Sequence, residues 1–267
     1  MIEVAEIPRS TYYYHVSQFE RADKYESAKI EITKIYHENK GRYGYRRVLS
    51  ELRRNGFVIN HKTVQRLMRE LGLVCRVRMK KYKSYKGDVG NAAPNLLNRD
   101  FKATKANQKW VTDITEFSLF GQKLYLSPIL DLYNGEIVSY NLNFRPIFSQ
   151  ITDMLDKAFE KIPDNTNLVF HSDQGWQYQM KQYQHRLREK GIVQSMSRKG
   201  NCLDNAVMES FFGVLKSELL YLQKFDSVEH FIEELHDYIY YYNNFRIKAK
   251  LKGLSPVQYR NQSFKVA

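Results

Sequence analysis

Three carboxylates in the second half of the chain stand in settings that suit phosphoryl chemistry: Asp113 in WVTDITEF, Asp173 closing LVFHSD, and Glu209 in DNAVMESFFGVLKSE. Asp113 follows Trp110 and Val111 in an apolar, β-rich run, where an unpaired ionised carboxylate is costly unless a cation or a strong donor offsets it. Asp173 ends an apolar run and opens into QGWQY, so the carboxyl end of a strand would deliver it to a crevice, the usual place of function in open α/β sheets. On a helix, Asn205, Glu209 and Lys216 are spaced by four and seven and share one face, an amide, a carboxylate and a cation together. Oxygen ligands without His or Cys partners suit Mg²⁺, with Mn²⁺ as a substitute. Two such ions about 4 Å apart activate a water or a 3′ hydroxyl and stabilise the leaving oxygen of an in-line displacement. Taken singly, each carboxylate has a structural alternative: Asp113 accepting local hydrogen bonds, Asp173 making the turn in SDQG, Glu209 solvated and paired with a cation.

Periodicity supplies the elements that must position them. WVTDITEF, KLYLSPIL and GEIVSYNL are short β-rich runs separated by turn material around Gly121 and Asn134-Gly135, three strands of an antiparallel meander with Asp113 inside the first. Residues 150–161 read as helix, LVFHSD as a buried strand, 180–190 as helix and 192–196 as a short strand. A long helix from about 204 to 220 packs Val207, Phe211, Val214 and Leu215, and FIEELHDYIYYYNNFR adds a further packing helix. A meander followed by alternating helices and parallel strands predicts an α/β, ribonuclease H-like domain.

The front of the chain is different. Lys and Arg number 42 against 29 Asp and Glu, a net +13, and residues 1–105 carry 23 basic and 11 acidic side chains. Nearly all the excess therefore lies in the first 105 residues, as a polyanion partner selects. Helices are expected over 27–37, with Ile30, Ile32, Ile35 and Tyr36 inward, and over RYGYRRVLSELRRNG, with Tyr45, Val48, Leu49 and Leu52 on one face. After the turn GFVIN, Asn60 caps HKTVQRLMREL, whose Val64, Leu67, Met68 and Leu71 make the inner stripe and whose Lys62, Gln65, Arg66 and Arg69 face out. Helix, helix, short turn and basic helix is a helix-turn-helix layout, the last helix being placed to enter a major groove. Many three-helix bundles with a basic face touch no DNA, so the layout alone leaves a solvated surface open.

RVRMKKYKSYK, running into GDVGNAAPN, lacks apolar periodicity and reads as a basic linker. The expected divisions are 1–75 for the helical region, 76–105 for the linker, 106–220 for the catalytic core and 221–267 for a helical extension of that core. Hydrophobic residues at 43% and charged residues at 27% fit a globular chain. No apolar run approaches the roughly 18 residues that span a bilayer, and no secretory signal opens the sequence, so a cytoplasmic, nucleoid-associated protein with no membrane partner is expected. Two cysteines without a CxxC exclude a disulfide framework and a cysteine-based zinc site.

WVTDIT, HSDQGWQY, SMSRKGNCLDNAVMESFFGVLKSE and YIYYYNNFR with LKGLSPVQY resemble the second-frame product of insertion-sequence-three family transposases. The resemblance extends upstream through IPRSTYYYH, NKGRYGYRRV and INHKTVQRLMRELGL, so it covers nearly the whole chain. It implies a retroviral-integrase-like core in which Asp113, Asp173 and Glu209 bind metal, with 35 residues between the second Asp and the Glu; positions 174–208 meet that spacing. It also implies a cation seven residues after the Glu, met by Lys216, which takes a DNA-phosphate role. No amino-terminal zinc module of the retroviral kind is implied. The expected partners are duplex DNA, further copies of the chain on that DNA, and an upstream-frame protein that supplies another helix-turn-helix and a zipper; this chain shows no heptads of its own.

The resulting expectation is a DNA transposase that cleaves at 3′ ends and transfers the strand with no covalent enzyme intermediate. A non-catalytic DNA-binding regulator of transposition, a fragment active only with a partner, and a ribonuclease acting on RNA·DNA hybrids are the alternatives. Arg42, Arg46, Arg47, Lys62, Arg66, Arg69 and the linker cations are expected to contact DNA. So are Arg198 and Lys199, in the loop before the catalytic helix, and Asn205 with Lys216 on the helix itself.

Overall fold

The computed structural model describes residues 8–13, 23–77 and 93–264, which fall into two compact units, Met1–Arg76 and Val77–Ala267. In the first, α1 (Glu26–Glu38), α2 (Tyr45–Arg54) and α3 (His61–Glu70) follow the expected order. Their inner faces are Ala28, Ile32, Ile35 and Tyr36, then Val48, Leu49 and Leu52, then Val64, Leu67 and Met68. Ile30, expected inside, is 65% exposed, because the buried stripe of α1 runs through Ala28 and Ile32 instead. Gly56 ends α2 at φ +84°, a conformation open to glycine at little cost, and lets Phe57 N–H return to the Leu52 carbonyl at 2.9 Å. Asn60 then caps α3, its side chain accepting from Lys62 N–H at 2.9 Å. The Tyr36 hydroxyl, donating to the Val74 carbonyl at 2.6 Å, ties the exit of α3 back to α1.

The second unit is a six-stranded sheet between two helical layers, the expected ribonuclease H-like α/β architecture. Strands β1 (Lys109–Thr112) and β2 (Thr115–Leu119) both run antiparallel to β3 (Gln122–Asp131) in one continuous register, Thr112 opposite Ile129 and Thr115 opposite Leu126. They are one strand of the expected meander, broken at Asp113 and Ile114. Continuing the register puts Pro128 opposite Asp113, and proline has no N–H to give the ladder. The break follows, and Asp113 lies just past β1 rather than within it. On its other side β3 pairs with β4 (Ile137–Asn143), while β5 (Val169–Ser172) runs parallel to β1 and β6 (Val193–Met196) parallel to β5.

Strand alternation sorts the core. Trp110, Ile129, Val138 and Phe170 face α4 (Phe148–Phe159) and α5 (Lys181–Glu189). Their chain neighbours Val111, Leu130 and Ile137 face α6 (Ala206–Leu215) and α7 (Val228–Asn244). The helix expected over 204–220 is composite: a 3₁₀ turn at Cys202–Asn205, then α6, then a π-helical turn at Lys216–Leu220. The π turn is held by Glu218, buried with Arg246, whose Nε and Nη2 each donate to it at 2.7 Å. Helix α7 and α8 (Pro256–Phe264), in the stretch expected as a helical extension of the core, belong to the same unit, and Arg260 anchors α8 to buried Asp131 at 2.6 Å.

Residues 93–105, expected as the end of the linker, pack on this unit. Leu97 is buried in the core, Met196 N–H donates to the Pro94 carbonyl at 3.3 Å, and Leu96 N–H donates to Ser195 Oγ at 3.0 Å, all along the free side of β6. At the opposite edge, Asn243 of α7 donates to the Ile137 carbonyl and accepts from its N–H, both at 2.9 Å, and Lys161 donates to the Val138 carbonyl. Among the described residues no helix is long and apolar enough to cross a membrane.

Candidate active site

Parallel pairing of β1 with β5 fixes the first two carboxylates. Lys109, Trp110 and Val111 lie opposite Val169, Phe170 and His171. Extended by two residues, the register brings Asp113 beside Asp173, each just past the carboxyl end of its strand, where open α/β sheets carry their sites. Both line a crevice of about 270 Å³ together with Glu116, Tyr125, Pro146, Gly175, Gln177 and Tyr178.

Asp113 accepts from Ile114 N–H at 2.7 Å through Oδ1 and from the Asn205 amide at 3.2 Å through Oδ2. Burial, then the negative charge of Asp173 and, more weakly, of Glu209, raise its carboxyl well above the ordinary range. Asp173 is raised by burial against the opposing Gly175 N–H, which donates to its Oδ1 at 2.9 Å. An added Cβ at Gly175 would lie 3.0 Å from that oxygen and 3.0 Å from Gln177 Oε1, so the turn after Asp173 has little room for a side chain.

Glu209 sits half-buried on α6, and its charge reaches Asp113, yet it is not among the residues lining the crevice. Among the described residues no three His, Cys, Asp or Glu side chains stand together closely enough to hold an ion as they are. The donor set nevertheless fits a hard divalent cation. Two carboxylates whose charged forms are disfavoured share the crevice, and Asn205 Oδ1, beside Asp113, is a buried acceptor without a partner.

Asn205 was expected at DNA. It is 3% exposed instead, and donates to Asp113 and, at 3.4 Å, to the Thr112 carbonyl, so it orients the carboxylate. It is held there by its neighbour. Asp204, fully buried, accepts from Arg198 N–H at 3.0 Å, from Arg198 Nε and Nη2 at 2.8 Å each, from Arg99 Nε at 2.9 Å and from the Asn95 amide at 2.9 Å. These donors hold its carboxyl far below the ordinary range. The Arg198 guanidinium thus braces the loop before α6 while half of the side chain stays exposed, and Lys199 beside it is exposed. Beneath the site His171, fully buried, bridges Ser195 Oγ at 2.8 Å and Ser197 Oγ at 3.1 Å, tying β5 to β6. Burial lowers its imidazole to about 4.

Lys216 opens the π turn, half-buried, its ammonium 5.5 Å from the centre of the Phe117 ring. Burial lowers its pKa against the opposing charge of Glu116. Glu116, which accepts from the Tyr125 hydroxyl at 2.9 Å and from Lys123 at 3.1 Å, had no place in the expected site. Its only mark in the sequence is an acid on a β-rich run three residues beyond Asp113.

On the helical unit Lys62, Arg66 and Arg69 of α3 and Arg46 of α2 are exposed, and Arg47 is half-exposed. Arg46 and Arg47 lie over the rings of Tyr45 and Tyr43 at 5.3 and 5.4 Å, and Arg66 pairs with Glu70 at 2.5 Å. Arg42 departs from expectation: it is 6% exposed, packed where the loop after α1 meets the exit of α3, with its carbonyl accepting from Cys75 Sγ at 3.3 Å. Tertiary packing has taken a cation that spacing put at the surface. The linker cations from Arg78 to Lys86 lie outside the described residues.

Comparison with known proteins follows the same division. Residues 22–81 match the HTH-like domain family, and residues 103–202 and 209–264 match two integrase core domain families. InsK, the transposase assigned to insertion sequence element IS150 in Escherichia coli (strain K12), is 56% identical over 264 residues, 99% of this chain and 93% of that protein. An uncharacterized transposase-like protein of Haemophilus influenzae is 57% identical over 77% of this chain and 94% of its own. Among solved structures, the HTLV-2 integrase catalytic core domain is a distant likeness, with a TM-score of 0.47 at 16% identity over 59% of this chain and 98% of that one. With its HTH-like domain followed by an integrase core, the chain belongs to the IS150/IS3 family of insertion-sequence transposases.

Proposed function

We propose that the protein cuts the ends of an insertion sequence and joins them to a second DNA strand, with Asp113, Asp173 and Glu209 as the metal-binding carboxylates. The observation that carries this reading is the convergence of negative charge on Asp113, at the ends of two adjacent parallel strands. Carboxylates crowded and buried in this way are stable together when a cation neutralises them. Asp113 and Asp173 would hold the first Mg²⁺, and Glu209 would come in from α6 to complete a pair of sites; Mn²⁺ would serve as well. When bound, such ions supply Lewis-acid activation of the attacking oxygen and neutralise charge on the phosphate.

In the first step the oxygen of water adds to phosphorus, the P–O3′ bond breaks, and the departing oxygen takes up a proton, leaving a 3′ hydroxyl and a 5′ phosphate. In the second, that hydroxyl loses its proton as it attacks another phosphodiester and releases a new 3′ hydroxyl. Asn205 fixes the direction of the Asp113 carboxylate throughout, and Gly175 N–H occupies one oxygen of Asp173 and directs the other. Lys216 holds a phosphate near Glu116.

Arg46, Arg47, Lys62, Arg66 and Arg69 are the proposed duplex contacts of the helical unit, with Arg198 and Lys199 added next to the core. Assembly of several copies on paired ends, and use of an upstream-frame partner, complete the proposal. The test is cleavage and strand transfer on labelled duplex carrying the element's own ends, with Mg²⁺ or Mn²⁺, for wild type and Glu209→Gln. Joined products that disappear in the variant while DNA binding persists are expected. Binding without product from either protein, with the upstream-frame partner supplied, would favour a non-catalytic regulator, and cleavage of RNA alone in a hybrid would favour a ribonuclease.

A further inference from the structure

The chain has two tryptophans, and they are placed in opposite ways. Trp110 is fully buried in β1, edge to face with Phe170 at 6.1 Å. Trp176 is 53% exposed, three residues past Asp173, and among the described residues no ring or cation lies against it. A lone exposed apolar residue is ordinary. This one stands on an unusually fixed base. Gly175, the residue before it, lines the carboxylate crevice and is held by Asp173 Oδ1. The 3₁₀ turn Trp176–Gln179 is closed by Tyr178 N–H on the Gly175 carbonyl at 3.1 Å. Gln179 donates to the Gln174 carbonyl at 2.5 Å, and Gln174 donates in turn to the Ser197 carbonyl at 2.9 Å. The backbone is set from both sides while the indole is left open.

A second exposed segment reaches the same crevice. Pro146 lines it, within the exposed run Phe144, Arg145, Pro146 and Ile147, where Phe144 is 48% and Ile147 42% exposed. Trp176, Arg145 and Ile147 do not line the crevice themselves, but each is next in the chain to a residue that does, Gly175 or Pro146, so exposed apolar surface and one arginine stand just outside a crevice whose lining is acidic. A phosphate brought to the carboxylates carries its nucleobase with it, and a rim of this composition suits the base better than water or a second phosphate. Indole faces stack on any base, whatever its identity, and arginine beside them takes the backbone.

We infer that Trp176 is a stacking platform for an unstacked nucleobase of the strand whose phosphate lies at Asp113 and Asp173, with Pro146 and its exposed chain neighbours as a second apolar segment at the same crevice. The inference rests on the nucleic-acid reading of the crevice given above. It names a base contact that neither the carboxylates nor the helical unit supplies.

The test uses the full chain in Mg²⁺ buffer and reads binding and stacking separately. Binding is followed by the anisotropy of a red dye on the far end of the duplex, and stacking by tryptophan emission and its accessibility to acrylamide. Because Trp110 is enclosed, both the acrylamide response and its protection by DNA should come from Trp176 and vanish in Trp176→Phe. Saturating DNA is expected to quench at least half of the Trp176 emission. Trp176→Ala should weaken binding about tenfold, and Trp176→Phe should restore most of that loss. Duplexes carrying a single abasic site, placed in turn along the element's end and along an unrelated target, distinguish the two sources of the base: the one that is stacked loses the quench at one position. Binding with Trp176 emission and accessibility unchanged would overturn this inference alone, whereas no binding by anisotropy would overturn the nucleic-acid reading with it.

Discussion

In the helical unit Lys62, Arg66 and Arg69 stand exposed on the outer face of α3, while in the sheet unit Asp113 and His171 are held by buried partners, Asn205 and Ser195, and fully buried Asp204 gathers the half-exposed Arg198 and Arg99. Exposed cations act through summed charge, so losing one should remove one increment. Buried groups act through geometry, and losing one disturbs its partners. The difference teaches where sensitivity is concentrated: affinity should decline in small steps and chemistry in large ones.

Asp113→Asn tests the steep side. It is expected to lower strand transfer by about a thousandfold, since one charge of the metal set is lost. Burial and Asp173 raise the wild-type carboxyl, so its ionised form costs stability near neutral pH, and the metal-free variant should melt higher than wild type. A lower melting temperature in the absence of metal would mean that Asp113 is a structural acceptor.

His171 gives the next effect. Burial lowers it to about 4 in the folded chain, below the value of about 6.5 when unfolded, so as pH falls the unfolded state takes up the proton first. Stability should be fully present above that window and fall by roughly 3 kcal/mol across it. Urea unfolding at pH 7 and pH 4 measures the loss, and His171→Gln should flatten it; an equal slope in both proteins would assign the acid sensitivity elsewhere.

Asn205→Ala should cost about ten- to a hundredfold in activity and raise the Mg²⁺ concentration needed for half-maximal rate, with little change in DNA affinity. A loss of affinity with an unaltered Mg²⁺ requirement would return Asn205 to the DNA surface. The smallest single effects belong to α3. Replacing Arg66 and Arg69 together by Ala should weaken duplex binding several-fold and lower the salt slope by about two, whereas Arg42→Ala should lower the melting temperature and leave that slope alone. If Arg42→Ala moved the slope and the α3 pair did not, the contrast between the units would fail.

The meeting of Asp113 with Asp173 was legible because an acid in a β-rich run and another at the end of a buried one are local signals, although Asp113 was expected inside its strand and Glu209 does not line their crevice. The break that frees Asp113 was not, since it depends on Pro128 coming opposite in the β3 register, a pairing that no single strand's alternation reveals. Helix faces were legible through their stripes, except that Ile30 and Leu71, expected inside, are exposed, while Arg42, expected at the surface, is buried in the loop before α2. The docking of the segment from residue 93 onward was hidden because its partners lie about a hundred positions away, Ser195 and Met196 on β6 for Pro94–Leu97 and Asp204 before α6 for Asn95 and Arg99.

Strands at the border of a sheet ordinarily offer unpaired backbone to whatever chain comes near. Here the amide of Asn243 and the ammonium of Lys161 occupy part of one border, and the segment at Pro94–Leu97 lies along the other. The sheet therefore has few places left to grow by adding a strand. Two copies brought together would meet closed borders, and any contact between them is left to side chains and helices rather than to a shared sheet.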